Sequence, residues 1–157
     1  MAAALAVGVR PSGRVEPPSG HLRGERIALP SGVTIINDCY NASPLSMRAA
    51  LDELSAEPAE GRRLAVLGDM LELGEQETEL HREIGAAAAA AGVDLLVTVG
   101  PRAAAMLDVF DGDSYAVADA AEAAALAGEL IEPGDVLLVK GSRGIGLEVV
   151  AEALAHG

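Results

Sequence analysis

Lys140 is the only lysine in this 157-residue chain, and it stands directly between the apolar run Val136 to Val139 and Gly141-Ser142-Arg143-Gly144. An ammonium, a hydroxyl and a guanidinium beside flexible backbone suit recognition of a carboxylate or phosphate, the guanidinium as a planar fork and the ammonium as a point charge. A solvated loop with two surface cations is the plain alternative; the acidity of the rest of the chain favours function. A second cluster, Asp38-Cys39-Tyr40-Asn41-Ala42-Ser43-Pro44, follows another apolar run. A carboxylate there could accept the hydroxyls of a ribose, while Tyr40 and Asn41 could hold a base or a carbonyl. An Asx-type turn entering a capped helix accounts for the same residues equally well. The third polar cluster is Gly68 to Gly74.

Other chemistries are excluded. GSRGIG (141–146) is not a dinucleotide fingerprint, because that needs a following strand with an acidic residue roughly 20 positions on, and the chain runs only to Gly157. No GxxxxGK[ST] is present, so the chain cannot grip a triphosphate in the P-loop manner. His21, His81 and His156 lie far apart with no ligand spacing, so no metal site is expected. His81, beside Leu80 on an amphipathic segment, reads as a packed or capping histidine rather than a catalytic base. A lone cysteine, Cys39, reads as an incidental small residue and fits a reducing compartment.

The formal charge of -13, from 24 acidic against 11 basic residues, argues against nucleic acid and anionic membranes as partners, since no basic stripe offsets it. Met1 to Val9 is apolar but lacks a basic start and a small-residue cleavage site, so it is not read as a signal peptide. No run approaches the roughly 18 apolar residues of a membrane span. The chain therefore reads as cytoplasmic, without membrane insertion.

The three clusters need a scaffold that brings strand ends together. Pro11 to Gly24 reads as a linker, which divides the chain into residues 1–24 and a compact domain over 25–157. Arg26 to Leu29 and Val33 to Asp38 flank Pro30-Ser31-Gly32 as a hairpin. Ser43 and Pro44 open a helix with Met47, Leu51 and Leu54 on one face. Leu64 to Leu67 reads as a strand. The next helix has Glu75, Glu77 and Glu79 early and a core stripe of Leu80, Ile84, Ala87, Ala88 and Ala91, and Gly92 stops it. Strand Asp94 to Val99, a short helix Arg102 to Val109 and a weak strand Tyr115 to Ala118 follow. Asp119 and Glu122 stand at capping-box spacing before a helix carrying Leu126 and Leu130. Strand Val136 to Val139 and a helix with Leu147, Val150, Ala151 and Leu154 complete the pattern. The expected fold is α/β: a three-layer Rossmann-like sandwich, its mostly parallel sheet of about six strands opening with a β-hairpin and flanked by about five helices. In such sheets ligands sit beyond the carboxyl ends of the strands, which is where all three clusters fall.

Four stretches together resemble one family. NDCYNASPLSMRAAL (37–51) is similar to the strand-to-helix turn opening the C-terminal domain of Mur ligases, in particular those that add D-alanyl-D-alanine. VLGDMLELG (66–74) with the downstream HREIG (81–85), VLLVKGSRGIGLEVV (136–150), and Gly13-Arg14-Val15-Glu16 match further blocks in the family's order. Cys39 stands where serine is common and Ser43 where asparagine is common. The resemblance implies an ATP-dependent ligase of peptidoglycan precursor synthesis. In that family ATP activates the terminal carboxylate of a UDP-linked muramyl tripeptide, with Mg2+ present, and the amine of D-alanyl-D-alanine then attacks. ATP and Mg2+ would be bound mainly by a central domain absent from this sequence, as is an N-terminal UDP-binding domain, so no complete catalytic set is expected here. Met1 to Val9 resembles the tail of the central domain's last helix, so the resemblance implies a piece of a longer protein. By motif, Arg14 would face the γ-phosphate, Asp38 the ribose, and Tyr40 and Asn41 the nucleotide. Asp69, Lys140, Ser142 and Arg143 would wall the place that receives the dipeptide. Two other readings share the fold: a stand-alone α/β binding or regulatory module, and the C-terminal domain of a sister ligase adding another amino acid.

Overall fold

Runs of aliphatic residues bounded by turns form six strands in a computed structural model that describes residues 24–156. They are β1 (Glu25–Ala28), β2 (Thr34–Asn37), β3 (Arg63–Gly68), β4 (Leu95–Val99), β5 (Asp113–Val117) and β6 (Val136–Lys140). The order across the sheet is β1-β2-β6-β3-β4-β5. Only β1 is antiparallel, paired with β2 through the expected hairpin, and the other neighbours run parallel.

The central strands are buried on both faces, hence their unbroken apolar sequence. Successive side chains point to opposite sides. Ala65, Leu67, Leu96 and Leu138 thus pack under α1 (Pro44–Ala56) and α2 (Glu77–Ala90), while Leu64, Val66, Val97 and Leu137 pack under α3 (Ala120–Leu130) and α4 (Glu148–His156). The result is the expected three-layer sandwich. Two helix starts follow the caps read from sequence. Ser43 accepts from the Ser46 amide and Ser46 returns a bond to the Ser43 amide. Asp119 accepts from Glu122 N at 2.9 Å, but the Glu122 carboxylate reaches back to Ala118 N instead of Asp119 N.

Three local expectations change. Ala103–Asp108 is a 3-10 segment rather than an α-helix. It lies so close to α2 that a Cβ at Gly85 would overlap the Met106 carbonyl, and this contact fixes its path. The buried stripe of α2 is His81, Ile84, Gly85 and Ala88; Leu80, Ala87 and Ala91 lie at its margins. The stripe is turned toward His81 because both ring nitrogens find partners inside. The fifth strand is the exposed edge Asp113–Val117, with Tyr115 42% exposed.

Candidate functional site

The three polar clusters follow β2, β6 and β3, which are consecutive in the sheet, so they meet along one rim. Asp38 N donates to Val139 O at 2.9 Å, continuing the β2–β6 ladder by one residue. The Asp38 carboxylate therefore starts beside the end of β6, where Lys140 is 3% exposed. Lys140 Nζ lies 3.1 Å from Asp38 Oδ2 and donates to Asn41 O at 2.8 Å. A buried ammonium needs such partners, because leaving it unpaired costs several kcal/mol, about 3 to 5. The lone lysine thus sets the shape of the Asp38–Ser43 turn.

The remaining side chains of that turn divide into those that line a cleft and those that hold the turn. Tyr40 is half-buried, and the exposed Arg143 guanidinium lies over its ring, 5.3 Å from the centroid, a cation–π contact between the loops after β2 and β6. Asn41 Oδ1 accepts from Ala42 N at 2.8 Å, which leaves its amide NH2 to donate. Ser43 caps α1, a task serine and asparagine share. Cys39 is buried, its Sγ 2.9 Å from Asn37 Oδ1. Burial above all, then the Glu148 and Asp38 charges, pushes its thiol up to about 12, so it carries little thiolate at neutral pH.

Asp69 and Ser142 join the loops after β3 and β6. Ser142 N donates to Asp69 O at 3.0 Å, and Ser142 Oγ accepts from Leu71 N at 2.9 Å. Sequence placed Asp69 on a ligand-facing wall. Its side chain is 2% exposed and turns the other way, Oδ1 accepting from Ala103 N at 2.7 Å and Oδ2 from Arg102 at 3.3 Å. Gly100 permits this: its φ is +105°, and a Cβ there would fall 2.6 Å from the Asp69 carboxyl. Asp69 thus braces the rim from beneath and contributes its backbone. Arg102, which sequence reading did not single out, bonds Glu77 at 3.1 Å as well as Asp69; those bonds, Glu77 first, raise its pKa. Its partners are distant in sequence, so no local signal marked it.

Two open clefts result. One, of about 360 Å³, is lined by Asp38, Tyr40, Asn41, Ser46, Glu53 and Lys140 among others. The other, of about 410 Å³, lies on the far side of Asn41, between Ser142-Arg143-Gly144 and Leu71-Glu72-Leu73. Glu72 has φ 65°, a left-handed conformation uncommon for a residue with a side chain. The rim brings Asp38, Tyr40, Asn41, Lys140, Ser142 and Arg143 together. Arg14 lies outside the described residues. A carboxylate, an amide and an aromatic ring around the first cleft can hold a polyhydroxylated, planar ligand, and an exposed guanidinium beside the second can fork onto a carboxylate. Among the described residues, no three acidic, imidazole or thiol groups are gathered so that they could hold a metal ion.

Known proteins share both the fold and much of the sequence of this chain. A family model, "Mur ligase, glutamate ligase domain", matches residues 22–143. The UDP-N-acetylmuramoyl-tripeptide–D-alanyl-D-alanine ligase of Bacillus subtilis is 37% identical over 138 residues, covering 85% of this chain and 30% of that protein. The crystal structure of MurF from Acinetobacter baumannii superposes with TM-score 0.77 at 30% identity, over 92% of this chain and 31% of that one. MurF ligase from Thermotoga maritima, solved in complex with ADP, superposes with TM-score 0.73 at 28% identity, over 86% and 30%. The chain therefore spans about a third of the length of the proteins it matches.

Proposed function

This chain belongs to the Mur ligase family, and from that premise we propose that it is the C-terminal, substrate-closing domain of a longer ligase. That enzyme joins D-alanyl-D-alanine to UDP-N-acetylmuramoyl-tripeptide at the expense of ATP, in the cytoplasm. The observation that carries the reading is the rim itself: loops from three adjacent strands tied by Lys140, Ser142 and the Tyr40–Arg143 stack. The relatives named for this activity match the chain over most of its length, and one related ligase was solved with ADP.

In this reading the first cleft faces the nucleotide. Asp38, part-exposed at its wall, accepts ribose hydroxyls, with Tyr40 and Asn41 beside the base; Arg14 serves the γ-phosphate. These donors and acceptors fit the sugar and base of ATP. They do not fit Mg2+, because the Asp38 carboxylate is already paired with the Lys140 ammonium and no second carboxylate joins it in a metal-holding cluster among the described residues. The second cleft receives the dipeptide, whose carboxylate suits the Arg143 fork while the Ser142 hydroxyl proton stays available to donate. Lys140 holds the Asn41 carbonyl and Asp38 in place and keeps a positive charge at the rim, where negative charge grows as the amide bond forms. Asp69 is the brace beneath. The partners are thus the muramyl tripeptide, the dipeptide, and the central and N-terminal domains of the same protein, which close against this rim by a hinge.

The test is release of ADP by the longer ligase. Release that requires both the UDP-linked tripeptide and D-alanyl-D-alanine is expected, with no turnover by the 157-residue chain alone. Robust turnover by that chain alone, or by the ligase with glutamate in place of the dipeptide, overturns the proposal.

A further inference from the structure

The loop after β3 is held by side chains from two different elements. His81, in the second turn of α2, is completely buried, with Nδ1 2.6 Å from the Glu77 carbonyl oxygen and Nε2 2.9 Å from Met70 N. A carbonyl can only accept and a backbone N–H can only donate. The ring is therefore neutral, its proton on Nδ1 and its lone pair on Nε2. One residue further on, Leu71 N donates to Ser142 Oγ. Two consecutive amides are thus fixed, one by α2 and one by the loop after β6. Glu72, with its positive φ, comes next, and Leu71, Glu72 and Leu73 form the wall of the second cleft that faces Arg143.

We propose that His81 is a positioning residue: its Nε2 lone pair, not its bulk, sets the Met70–Leu73 wall against Arg143 in the geometry that receives the dipeptide. This rests on the ligase reading above. Met70 is buried, so its amide loses its partner once the acceptor is removed, and a buried unpaired donor is costly enough to drive rearrangement. The loop can meet that demand by swinging its amide toward water, which also relieves the left-handed conformation at Glu72. The wall then leaves Arg143. The Asp38–Lys140 half of the rim hangs on β2 and β6 and is untouched. The expected signature is weaker dipeptide binding with an intact nucleotide side.

His81→Phe keeps a ring and removes the acceptor; His81→Gln supplies an amide oxygen able to accept. In the 157-residue chain, exchange of the Met70 and Leu71 amides is expected to quicken about tenfold or more in H81F and to return toward wild type in H81Q. In the longer ligase, the KM for D-alanyl-D-alanine is expected to rise about tenfold in H81F, with kcat and the KM for ATP within about twofold, and H81Q restoring the dipeptide KM. Unchanged Met70 exchange, or a dipeptide KM that does not move, overturns the proposal. So does a parallel loss of all three kinetic constants. If H81F does not fold, nitrogen shifts of the wild-type ring decide, because a proton on Nε2 contradicts the assigned role. A wild-type ligase that accepts no dipeptide defeats the ligase reading instead, and amide exchange then still judges what His81 does to the loop.

Discussion

A buried charged group with an opposite partner stands at each end of the central strands, and the two pairs do different work. At the amino end, Asp135 is 2% exposed. One carboxylate oxygen accepts from Arg62 N at 2.8 Å, and the other accepts from the Arg62 guanidinium at 2.9 Å and from Glu132 N at 2.8 Å. Arg62 also donates to Leu130 O. This carboxylate is saturated from within and clamps the starts of β3 and β6 to the end of α3. At the carboxyl end the buried group is the cation: Lys140 is 3% exposed, and its carboxylate partner Asp38, 14% exposed, lines an open cleft. Each pair has one partner in contact with solvent, Arg62 at 35% and Asp38 at 14%; the same chemistry builds architecture where the carboxylate is the buried partner and leaves a carboxylate facing a cleft where the ammonium is buried instead.

That contrast is open to direct attack, most strongly at Asp135. Asp135→Ala strips the acceptor from two amides and a guanidinium, and is expected to cost about 3 kcal/mol of stability in urea unfolding. A loss under about 1 kcal/mol would break the comparison. Lys140→Met is expected to reverse the pattern. Stability falls by about 1 to 2 kcal/mol, since Asp38 can turn to water, while turnover of the longer ligase falls about a hundredfold. Near-normal turnover in that variant would reduce Lys140 to a structural lysine. The smallest effect is expected at Cys39, which sits in the rim sequence yet packs into the core. Its thiol, raised from 9.0 to about 12, carries little thiolate at pH 8, so alkylation of the folded chain is expected to run about a thousandfold below that of the urea-unfolded chain. Equal rates would show that the turn opens to solvent.

The sequence made one end of the molecule far more legible than the other. Central parallel strands are continuous apolar runs, so the polar clusters closing them stood out, and the three singled out follow β2, β6 and β3, which lie side by side in the sheet. The direction of Asp69 was not legible, because it depends on Gly100 and on the Ala103 amide, contributed by the loop after β4 across a sheet contact. The Arg62–Asp135 clamp was hidden for the same reason, since its two partners stand 73 residues apart. His81 was legible as a packed residue through its apolar neighbours. Its bond to Met70 was not, although HREIG and VLGDMLELG already stood together as one pair of motifs. Periodicity also missed the rotation of α2, since the stripe was drawn through Leu80 and the interior instead took a histidine with both nitrogens bonded.

Amide hydrogen exchange on the longer ligase, with and without nucleotide and D-alanyl-D-alanine together, tests the central claim most directly. Protection is expected over 38–46, 68–74 and 140–146, at the carboxyl ends of β2, β3 and β6, and none is expected in the apolar groove at the opposite end, around Leu29, Ile131 and Leu154. Protection confined to that groove, with the three rim loops unchanged, would contradict the assignment of the rim as the face that receives substrate.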